Sequence, residues 1–269
     1  MNQTISFRSN QNQEAPLGQI SWHGNQEELH DEHDQIKKIL NNLEHPIWVV
    51  KEDDKYYLTN QDGFPLSSAI TSTKYNRLAY VPAMPLEAFG DSTFMQTYGT
   101  RYAYYVGAMA NGIASVDMLV VLGKAGFMGS FGSAGLPPSR IEAAIHTIQQ
   151  ALPQGPYSPN EPNLERHLAE MYLKYDVTVI EASAYMDLTY ALAHFRVAGL
   201  SRDRDGSIRI KNKIIAKISR KEVARKFMLP APEDLLKQLL ADGKISAEQA
   251  ELARMVPMAD DITVEADSG

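Results

Sequence analysis

The sequence predicts a protein of the α/β class, in which a parallel sheet is covered by helices. From Tyr104 onward, short apolar runs typical of strands alternate with amphipathic runs typical of helices, which is the order of β/α units. The predicted strands are nearly continuous in apolar residues, as expected of strands that are buried on both faces. Each strand ends in small or polar residues, and in (β/α)8 barrels the carboxyl ends of the strands build the active site.

The first hundred residues follow a different pattern. Residues 25–43 carry leucines and isoleucines on one face of a predicted helix. Residues 47–58 consist of two apolar runs around an acidic turn, which predicts a hairpin. Residues 63–100 are rich in proline and aromatic residues and have no clear period. We therefore predict a small N-terminal α+β region over residues 1–100.

The first β/α unit occupies residues 104–136. An apolar run meets Asn111-Gly112, a helical run follows, and five glycines then fall three residues apart: Gly123, Gly126, Gly129, Gly132 and Gly135. Small residues where the first strand ends let the backbone approach a flat or phosphate-bearing ligand closely. The alternative is that the glycines only end elements and allow tight packing, and the local sequence favours this alternative slightly.

The remaining elements predict an incomplete barrel. Helices are predicted at 138–152, 162–175, 187–197, 221–228 and from Ser246, where Gln249 completes a capping box. Strands are predicted near 104, 126, 177, 213 and 261. The Gly- and Pro-rich residues 155–159 predict no strand between the first two of these helices. A complete (β/α)8 barrel typically needs about 250 residues. We therefore predict a partial barrel over 101–269, with a helical insertion around 220–258.

Composition excludes several classes of function. The formal net charge of −7 argues against a nucleic-acid-binding protein, because binding phosphates requires clustered Lys and Arg. The chain has no cysteine, which excludes disulfides, thiolate metal sites and cysteine nucleophiles. The N-terminus is polar, and no apolar run reaches the ~18–20 residues of a membrane-spanning helix. We therefore predict a cytoplasmic protein without a membrane partner.

Local motifs identify few ligand sites. Neither the glycine fingerprint of dinucleotide-binding folds nor the phosphate loop of nucleotide-binding folds is present. His30 and His33 lie among carboxylates, where a solvated acidic helix face is favoured over a metal site, and no metal is predicted.

Lys217 is a lysine on a strand that is otherwise mostly apolar, and such a group needs a partner. Two interpretations are equally favoured: a ligand's anionic group, or a salt bridge with Glu181 or Glu265. The acidic strand exit at 265–269 is equally compatible with a ligand site or with a frayed terminus.

Six segments together resemble a known family, the trans-acting, PfaD-type enoyl reductases of polyunsaturated-fatty-acid and polyketide synthases. These enzymes are relatives of nitronate monooxygenases and of the flavin-dependent enoyl-carrier-protein reductase. The segments run in family order and are VGAMANGIAS (106–115), AGFMGSFGSAGLPPSRIEAAI (125–145), SPNEPNLE (158–165), VIEASAYMDLTYALAHFRVAGL (179–200), NKIIAKISRKEVARKFMLPAP (212–232) and ADDITVEADSG (259–269).

The resemblance implies an FMN-binding (β/α)8 barrel with the flavin at its C-terminal mouth. The residues implied to line the flavin ring are Gly107, Ala108, Met109, Ala110 and Asn111. Those implied to border it are Glu181, Ser183 and Lys217. Those implied to lead into the phosphate site are Glu265, Asp267, Ser268 and Gly269. No catalytic residue is assigned, because the family's natural candidate is a histidine that follows the equivalent of Ser268-Gly269.

The implied reaction is reduction of an α,β-unsaturated thioester on an acyl carrier protein, with NADPH as the reductant of the flavin. Basic residues in and just before the 221–228 helix are candidates for docking the carrier: Arg220, Lys221, Arg225 and Lys226. A homodimer is left open. The alternatives are a nitronate monooxygenase-like FMN oxidoreductase and a non-catalytic docking subunit of a megasynthase.

One departure from the family concerns the middle of the barrel. The family carries an apolar strand with an asparagine between the segments that match 155–157 and 158–162, whereas here Tyr157 is joined directly to Ser158. We therefore expect the sequence to be part of a longer chain.

Overall fold

A computed structural model describes residues 21–22, 25–61, 75–153, 155–162 and 166–265. The chain divides into two compact units, Met1–Phe89 and Gly90–Gly269.

The first unit is built on a four-stranded antiparallel sheet in the order β1-β4-β2-β3. Its elements are β1 (Ser21–Trp22), a 3-10 turn (Gln26–Glu28), α1 (His33–Asn41), β2 (Ile47–Glu52), β3 (Lys55–Thr59), β4 (Tyr75–Val81) and a second 3-10 turn (Leu86–Ala88). The predicted hairpin is confirmed as β2 and β3. The helix predicted over 25–43 is interrupted, because His30 exchanges both backbone hydrogen bonds with Leu58.

The second unit contains eight helices and eight strands among the described residues. The helices are α2 (Ser92–Tyr98), α3 (Val116–Lys124), α4 (Pro138–Ala151), α5 (Arg166–Lys174), α6 (Tyr190–Ala198), α7 (Lys221–Phe227), α8 (Glu233–Ala241) and α9 (Ala247–Ala253). The strands are β5 (Tyr105–Val106), β6 (Met128–Phe131), β7 (Tyr157–Pro162), β8 (Val179–Ser183), β9 (Leu200–Arg202), β10 (Ile208–Ile210), β11 (Lys213–Ile218) and β12 (Asp261–Val264).

Six of these strands form one parallel sheet that follows chain order, β5-β6-β7-β8-β11-β12. Strand order never reverses, so the sheet has the single winding of a β/α barrel and no switch point of a doubly wound fold. The mixed α/β class and all five predicted parallel strands are therefore confirmed. The remaining two strands, β9 and β10, form a small antiparallel hairpin.

The prediction that no strand lies between α4 and α5 is wrong. β7 pairs with β6 on one side and with β8 on the other, placing Ser158 beside Ser130 and Asn160 beside Glu181. Gly155, Pro156 and Pro159 oppose a strand locally, and Pro159 has no N–H to donate, which is why the sequence alone predicts a loop. Pairing with two neighbouring strands outweighs this local preference. Residue 162, where the sequence predicts the next helix to begin, lies in β7, and the structure describes that helix over Arg166–Lys174.

The two faces of the sheet differ near the carboxyl ends of the strands. Ile180, Ala182, Ile214 and Ala216 point to one face and join the large apolar core beneath the helices. The opposite face, which we call the inner face, carries a small apolar cluster that includes Val179 and Ile215, and beside it the buried Glu181 and Ser183. Parallel strands buried on both sides are usually apolar on both, so the buried polar residues of the inner face are a departure that marks a site.

Two buried contacts fix β12 at the edge of this sheet. Arg196 on α6 is 1% exposed and pairs with Asp260 at 2.6 Å, and it also donates to the carbonyl oxygens of Pro257 and Asn212. The Tyr98 hydroxyl donates to Asp261 Oδ2 at 2.6 Å. The second contact joins α2, which precedes β5, to the strand at the far end of the sheet order.

The predicted helical insertion lies between β11 and β12 as α7, α8 and α9. The capping box predicted at Ser246 is confirmed, because Gln249 and Ser246 exchange side-chain and backbone hydrogen bonds. None of the helices in the described part of the chain combines the length and the apolar character of a membrane span.

Candidate functional site

A fully buried carboxylate, Glu181, lies at the centre of the inner face. Its Oε1 accepts from Asn160 Nδ2 at 2.6 Å and lies 3.1 Å from Lys217 Nζ. Its Oε2 accepts from the backbone N–H of Ala108 at 3.2 Å and from the Tyr105 hydroxyl. Each oxygen therefore has two donors, which fills the acceptor capacity of a carboxylate. We call these five residues the Glu181 hub.

The sheet assembles the hub because each contributing strand ends at the same edge. Parallel registers place Asn160 of β7 beside Glu181 of β8, and Ser183 beside Lys217 of β11. Residues two apart on one strand share a face, so Glu181 and Ser183 both point inward. The hub thus lies at the carboxyl ends of β5, β7, β8 and β11, where β/α barrels place their active sites.

Tyr105 is a permanent donor to the hub. Burial, followed by the charge of Glu181 and the hydrogen bond to it, raises the pKa of the Tyr105 phenol well above its usual value. The hydroxyl therefore keeps its proton and remains a donor. Its oxygen also lies 3.4 Å from Ser158 Oγ.

Asn160 links three strand exits through one side chain and one carbonyl. Its Nδ2 donates to Glu181 and, at 2.7 Å, to Ser183 Oγ. Its backbone oxygen accepts from the Ser133 hydroxyl in the loop after β6. Because its amide nitrogen donates to both Glu181 and Ser183, Asn160 fixes the orientation of the carboxylate as well as forming a hydrogen bond with it.

Lys217 makes the salt bridges of one of the two interpretations left open by the sequence. Its side chain is 20% exposed and contacts Glu181 and, at 3.8 Å, Glu265, which is 45% exposed. The salt-bridge interpretation is therefore confirmed for both carboxylates. Lys217 also lines a cavity of about 200 Å³ together with residues that follow β8 and β11: Ala184, Tyr185, Met186, Ser219, Arg220 and Val223. Such a cavity is small compared with the ~300–1,000 Å³ of usual ligand pockets.

The loop after β5 serves two purposes. Gly107 and Ala108 adjoin the hub, and a Cβ placed on Gly107 would meet Glu181 Oε2 only at an ordinary 3.7 Å. Asn111 instead packs on the loop after β6, where its backbone N–H donates to Ala134. Gly132 is required by that packing, because a Cβ there would overlap the carbonyl group of Met109. The packing interpretation therefore holds for Gly132, while Gly107 leaves its backbone open to a ligand.

Two strand exits carry a strained backbone. Asn111 and Ala184 have φ angles of 58°, in the left-handed region that residues with a side chain adopt at a cost of about 1–2 kcal/mol. Ala184 directly follows Ser183 and lines the cavity beside Lys217. Strained residues of this kind cluster at functional sites.

The structure brings together most of the residues implied for the flavin site. Gly107, Ala108, Glu181, Ser183, Lys217 and Glu265 gather around the hub. Met109 and Ala110 are exposed on the loop after β5. Asp267, Ser268 and Gly269 lie outside the described residues.

Sequence reasoning misses Tyr105 and Asn160. Tyr105 belongs to a run that is apolar in the sequence, and Asn160 lies in a segment whose prolines predict a loop. The one available signal is that a buried carboxylate and a buried lysine need further hydrogen-bond partners. Within the described residues, no group of three or more His, Asp and Glu is arranged to hold a metal ion.

Comparisons with known proteins show which proteins the chain resembles. The chain is 46% identical over 242 residues to one of the subunits of a polyunsaturated fatty acid synthase of Thraustochytrium sp., covering 88% of this chain and 16% of that protein. It is 48% identical over 201 residues to the polyketide biosynthesis protein ThaF of Burkholderia thailandensis, covering 74% of this chain and 17% of that protein. The chain therefore spans about a sixth of the length of these relatives.

A solved structure resembles the fold as well as the sequence. The enoyl reductase domain of MlnA, from the macrolactin biosynthesis cluster of Bacillus amyloliquefaciens, is 41% identical with a TM-score of 0.65, over 68% of this chain and 43% of that one. No protein-family model matches the chain. By sequence and fold, the chain is a relative of the PfaD-type enoyl reductases of polyunsaturated-fatty-acid and polyketide synthases.

Proposed function

We propose that the chain forms part of an FMN-dependent enoyl reductase, which uses NADPH to reduce α,β-unsaturated thioesters carried by an acyl carrier protein. The observation that supports this most directly is the Glu181 hub, a buried and fully hydrogen-bonded ion pair at the carboxyl ends of parallel strands. Its position in a chain that resembles an enoyl reductase domain makes redox chemistry on a C=C bond the best-supported reaction.

The residues at the hub fit the polar edge of an FMN ring. A lysine ammonium has three N–H donors; Glu181 lies 3.1 Å from the ammonium of Lys217, whereas Glu265, at 3.8 Å, is beyond hydrogen-bond distance. The remaining donors can serve a ligand in the adjoining cavity. The open backbone at Gly107 allows a planar ring to approach closely. The strand exit that begins with Glu265 would lead into the phosphate-binding region.

The protein residues would position and stabilise the cofactor. When bound, FMN would supply the hydride transfer from NADPH to the unsaturated thioester. Lys217 would stabilise negative charge at the ring edge, which is one of the ways in which a protein tunes a flavin. Glu181 would hold Lys217 and the Ala108 backbone in place, and Tyr105 and Asn160 would hold Glu181.

An absorption spectrum tests this proposal most directly. The purified full-length protein that contains this chain is expected to be yellow, or to become yellow when FMN is added. NADPH should bleach the flavin absorbance without oxygen, and a crotonyl thioester should restore it. Protein that stays colourless with added FMN would contradict the proposal and favour a docking subunit. Restoration by oxygen, with none by the thioester, would favour a nitronate monooxygenase-like enzyme.

A matched pair of lysine variants tests the assigned role of Lys217. Lys217→Met removes the cation and keeps the aliphatic stem, so we expect FMN to bind at least about tenfold more weakly, which corresponds to ~1.4 kcal/mol. Lys211→Met is the control, because Lys211 is half exposed and pairs with the surface carboxylate of Asp176. Equal FMN affinity for the two variants would overturn the role of Lys217.

A further inference from the structure

The residues directly after β11 form a cationic and apolar surface beside the cavity. Lys221 and Arg225 lie four positions apart on α7, so their side chains share one face of the helix. Both are exposed, and neither side chain makes an ion pair with a described residue. Met228 continues the same stripe at 66% exposure. We call Lys221, Arg225 and Met228 the α7 stripe.

The α7 stripe begins close to the proposed redox centre. Lys217 and Lys221 are four residues apart, so their Cα atoms lie within roughly 14 Å even if the chain is fully extended. The residues between them line the cavity: Ser219 and Arg220 face it, as does Val223 from the first turn of α7. A partner seated on the stripe would therefore lie close to the cavity, on the outer side of α7, while Val223 faces the cavity from the other side of the helix.

The stripe sits on a rigid support. Val223 and Phe227 are buried on the opposite side of α7. The chain that leads into β12 donates two backbone hydrogen bonds to the end of α7 and the residues just after it. The N–H of Ala259 donates to the carbonyl oxygen of Phe227, and that of Met258 donates to Leu229. Lys226, by contrast, is held by Asp187 at 3.1 Å and by the carbonyl oxygen of Met186. Of the basic residues suggested by the sequence, Lys221 and Arg225 therefore lie exposed on one face of α7, whereas Arg220 lines the cavity and Lys226 is held by Asp187.

Lys221 and Arg225 are like charges one helical turn apart, although Arg225, in the last turn of α7, is favourably placed for the helix dipole. A like-charged pair at i and i+4 costs about 0.2–0.5 kcal/mol. The exposed Glu222 lies between them in sequence but on a neighbouring face of the helix. The net charge of the chain is −7, so a local cationic surface is needed if an anionic partner is to dock at all.

We propose that the α7 stripe docks the acyl carrier protein that delivers the substrate; this rests on the proposed function. A carrier presents its thioester on an arm joined by an anionic phosphodiester, and Lys and Arg side chains close to the cavity suit such a group. The exposed Met228 supplies a flexible apolar contact that adapts to a protein surface. Exposed charges of this kind act mainly on the rate of association, so the effect should weaken as salt is added.

The test compares one acyl group on two carriers in the full-length protein. The double variant Lys221→Glu/Arg225→Glu should raise KM for crotonyl-carrier protein by about tenfold or more, a change of ~1.4 kcal/mol. For crotonyl-pantetheine, which has neither phosphate nor protein, the kcat and KM of the double variant should match those of the wild type within about twofold. Lys124→Glu is the control, because Lys124 ends α3 at the opposite end of the sheet.

The outcomes separate this inference from the proposed function. If wild-type protein reduces crotonyl-pantetheine and the double variant has an unchanged KM for the carrier substrate, the docking surface is wrong and the reductase stands. If wild-type protein reduces neither substrate, the proposed function is wrong. An acid is favourable in the first turn of a helix, so Lys221→Glu alone should fold normally. It should still raise KM for the carrier substrate, and failure to do so would overturn the inference.

Discussion

The ammonium of Lys217 and the carboxylate of Glu181 lie 3.1 Å apart on neighbouring parallel strands, with the carboxylate fully buried and the lysine one-fifth exposed. A buried pair of this kind is stable only when further hydrogen bonds satisfy its remaining donors and acceptors. Here Tyr105, Ala108 and Asn160 satisfy the carboxylate, while the lysine faces the cavity. The carboxylate therefore organises the site, and the lysine is the member of the pair that can meet a ligand.

Glu181→Gln is expected to destabilise the second unit although it keeps the shape of the side chain. The amide leaves Lys217 without its buried counter-charge and presents N–H groups where the site supplies donors. We expect the free energy of unfolding in urea to fall by about 2–4 kcal/mol. The control is Glu251→Gln, an exposed carboxylate 3.9 Å from Arg202, which should cost less than about 1 kcal/mol. If the two variants lost equal free energy of unfolding, the stabilising role assigned to the Glu181 hub would be contradicted.

The raised pKa of Tyr105 predicts how the free energy of unfolding changes with pH in alkaline solution. Burial, and then Glu181, raises the pKa of this phenol well above 10.0, whereas in the unfolded chain it titrates at about 10. The folded state holds the proton more tightly, so this stabilisation is complete below about pH 10 and is lost progressively as the pH rises beyond it.

The variant Tyr105→Phe removes this titration and keeps the ring. Its free energy of unfolding should be lower than that of the wild type at neutral pH, by about 1–3 kcal/mol for the lost donor. Above about pH 10 its stability should fall less steeply, because one linked proton has been removed. Urea titrations at several pH values measure both effects. Parallel curves for the two proteins would show that Tyr105 is not the titrating group.

Two glycine variants should separate packing from ligand approach. Gly132→Ala would force its Cβ into the Met109 carbonyl, so we expect a loss of several kcal/mol, on the order of the larger single-site effects. Gly107→Ala meets only an ordinary contact at 3.7 Å and should keep nearly wild-type stability. Under the proposed function it should nevertheless weaken FMN binding. Thermal unfolding and a flavin titration give the two measurements, and a reversed pattern would contradict the interpretation.

The parallel sheet is predictable from the sequence because its helices and strands differ clearly in period. Glu181 and Lys217 are identifiable because charged residues stand out in otherwise apolar strands. Strand β7 is missed because Pro159 opposes a strand locally, and pairing with β6 and β8 outweighs that preference only in three dimensions. Asn160 is missed with it. Tyr105 is missed because its ring makes it look apolar while its hydroxyl acts as a donor.

The Tyr98–Asp261 hydrogen bond bears on the order in which the molecule folds. Each strand of the parallel sheet pairs with the sheet strand that comes before or after it in the chain. Most of the sheet therefore forms through contacts between residues that are close in sequence. Tyr98 and Asp261 are 163 positions apart, and the entropic cost of closing a loop grows with its length. We therefore expect β/α units to assemble successively during synthesis. The contact between α2 and β12 then forms last, and it is the long-range step in a folding process that otherwise proceeds through contacts between neighbouring units.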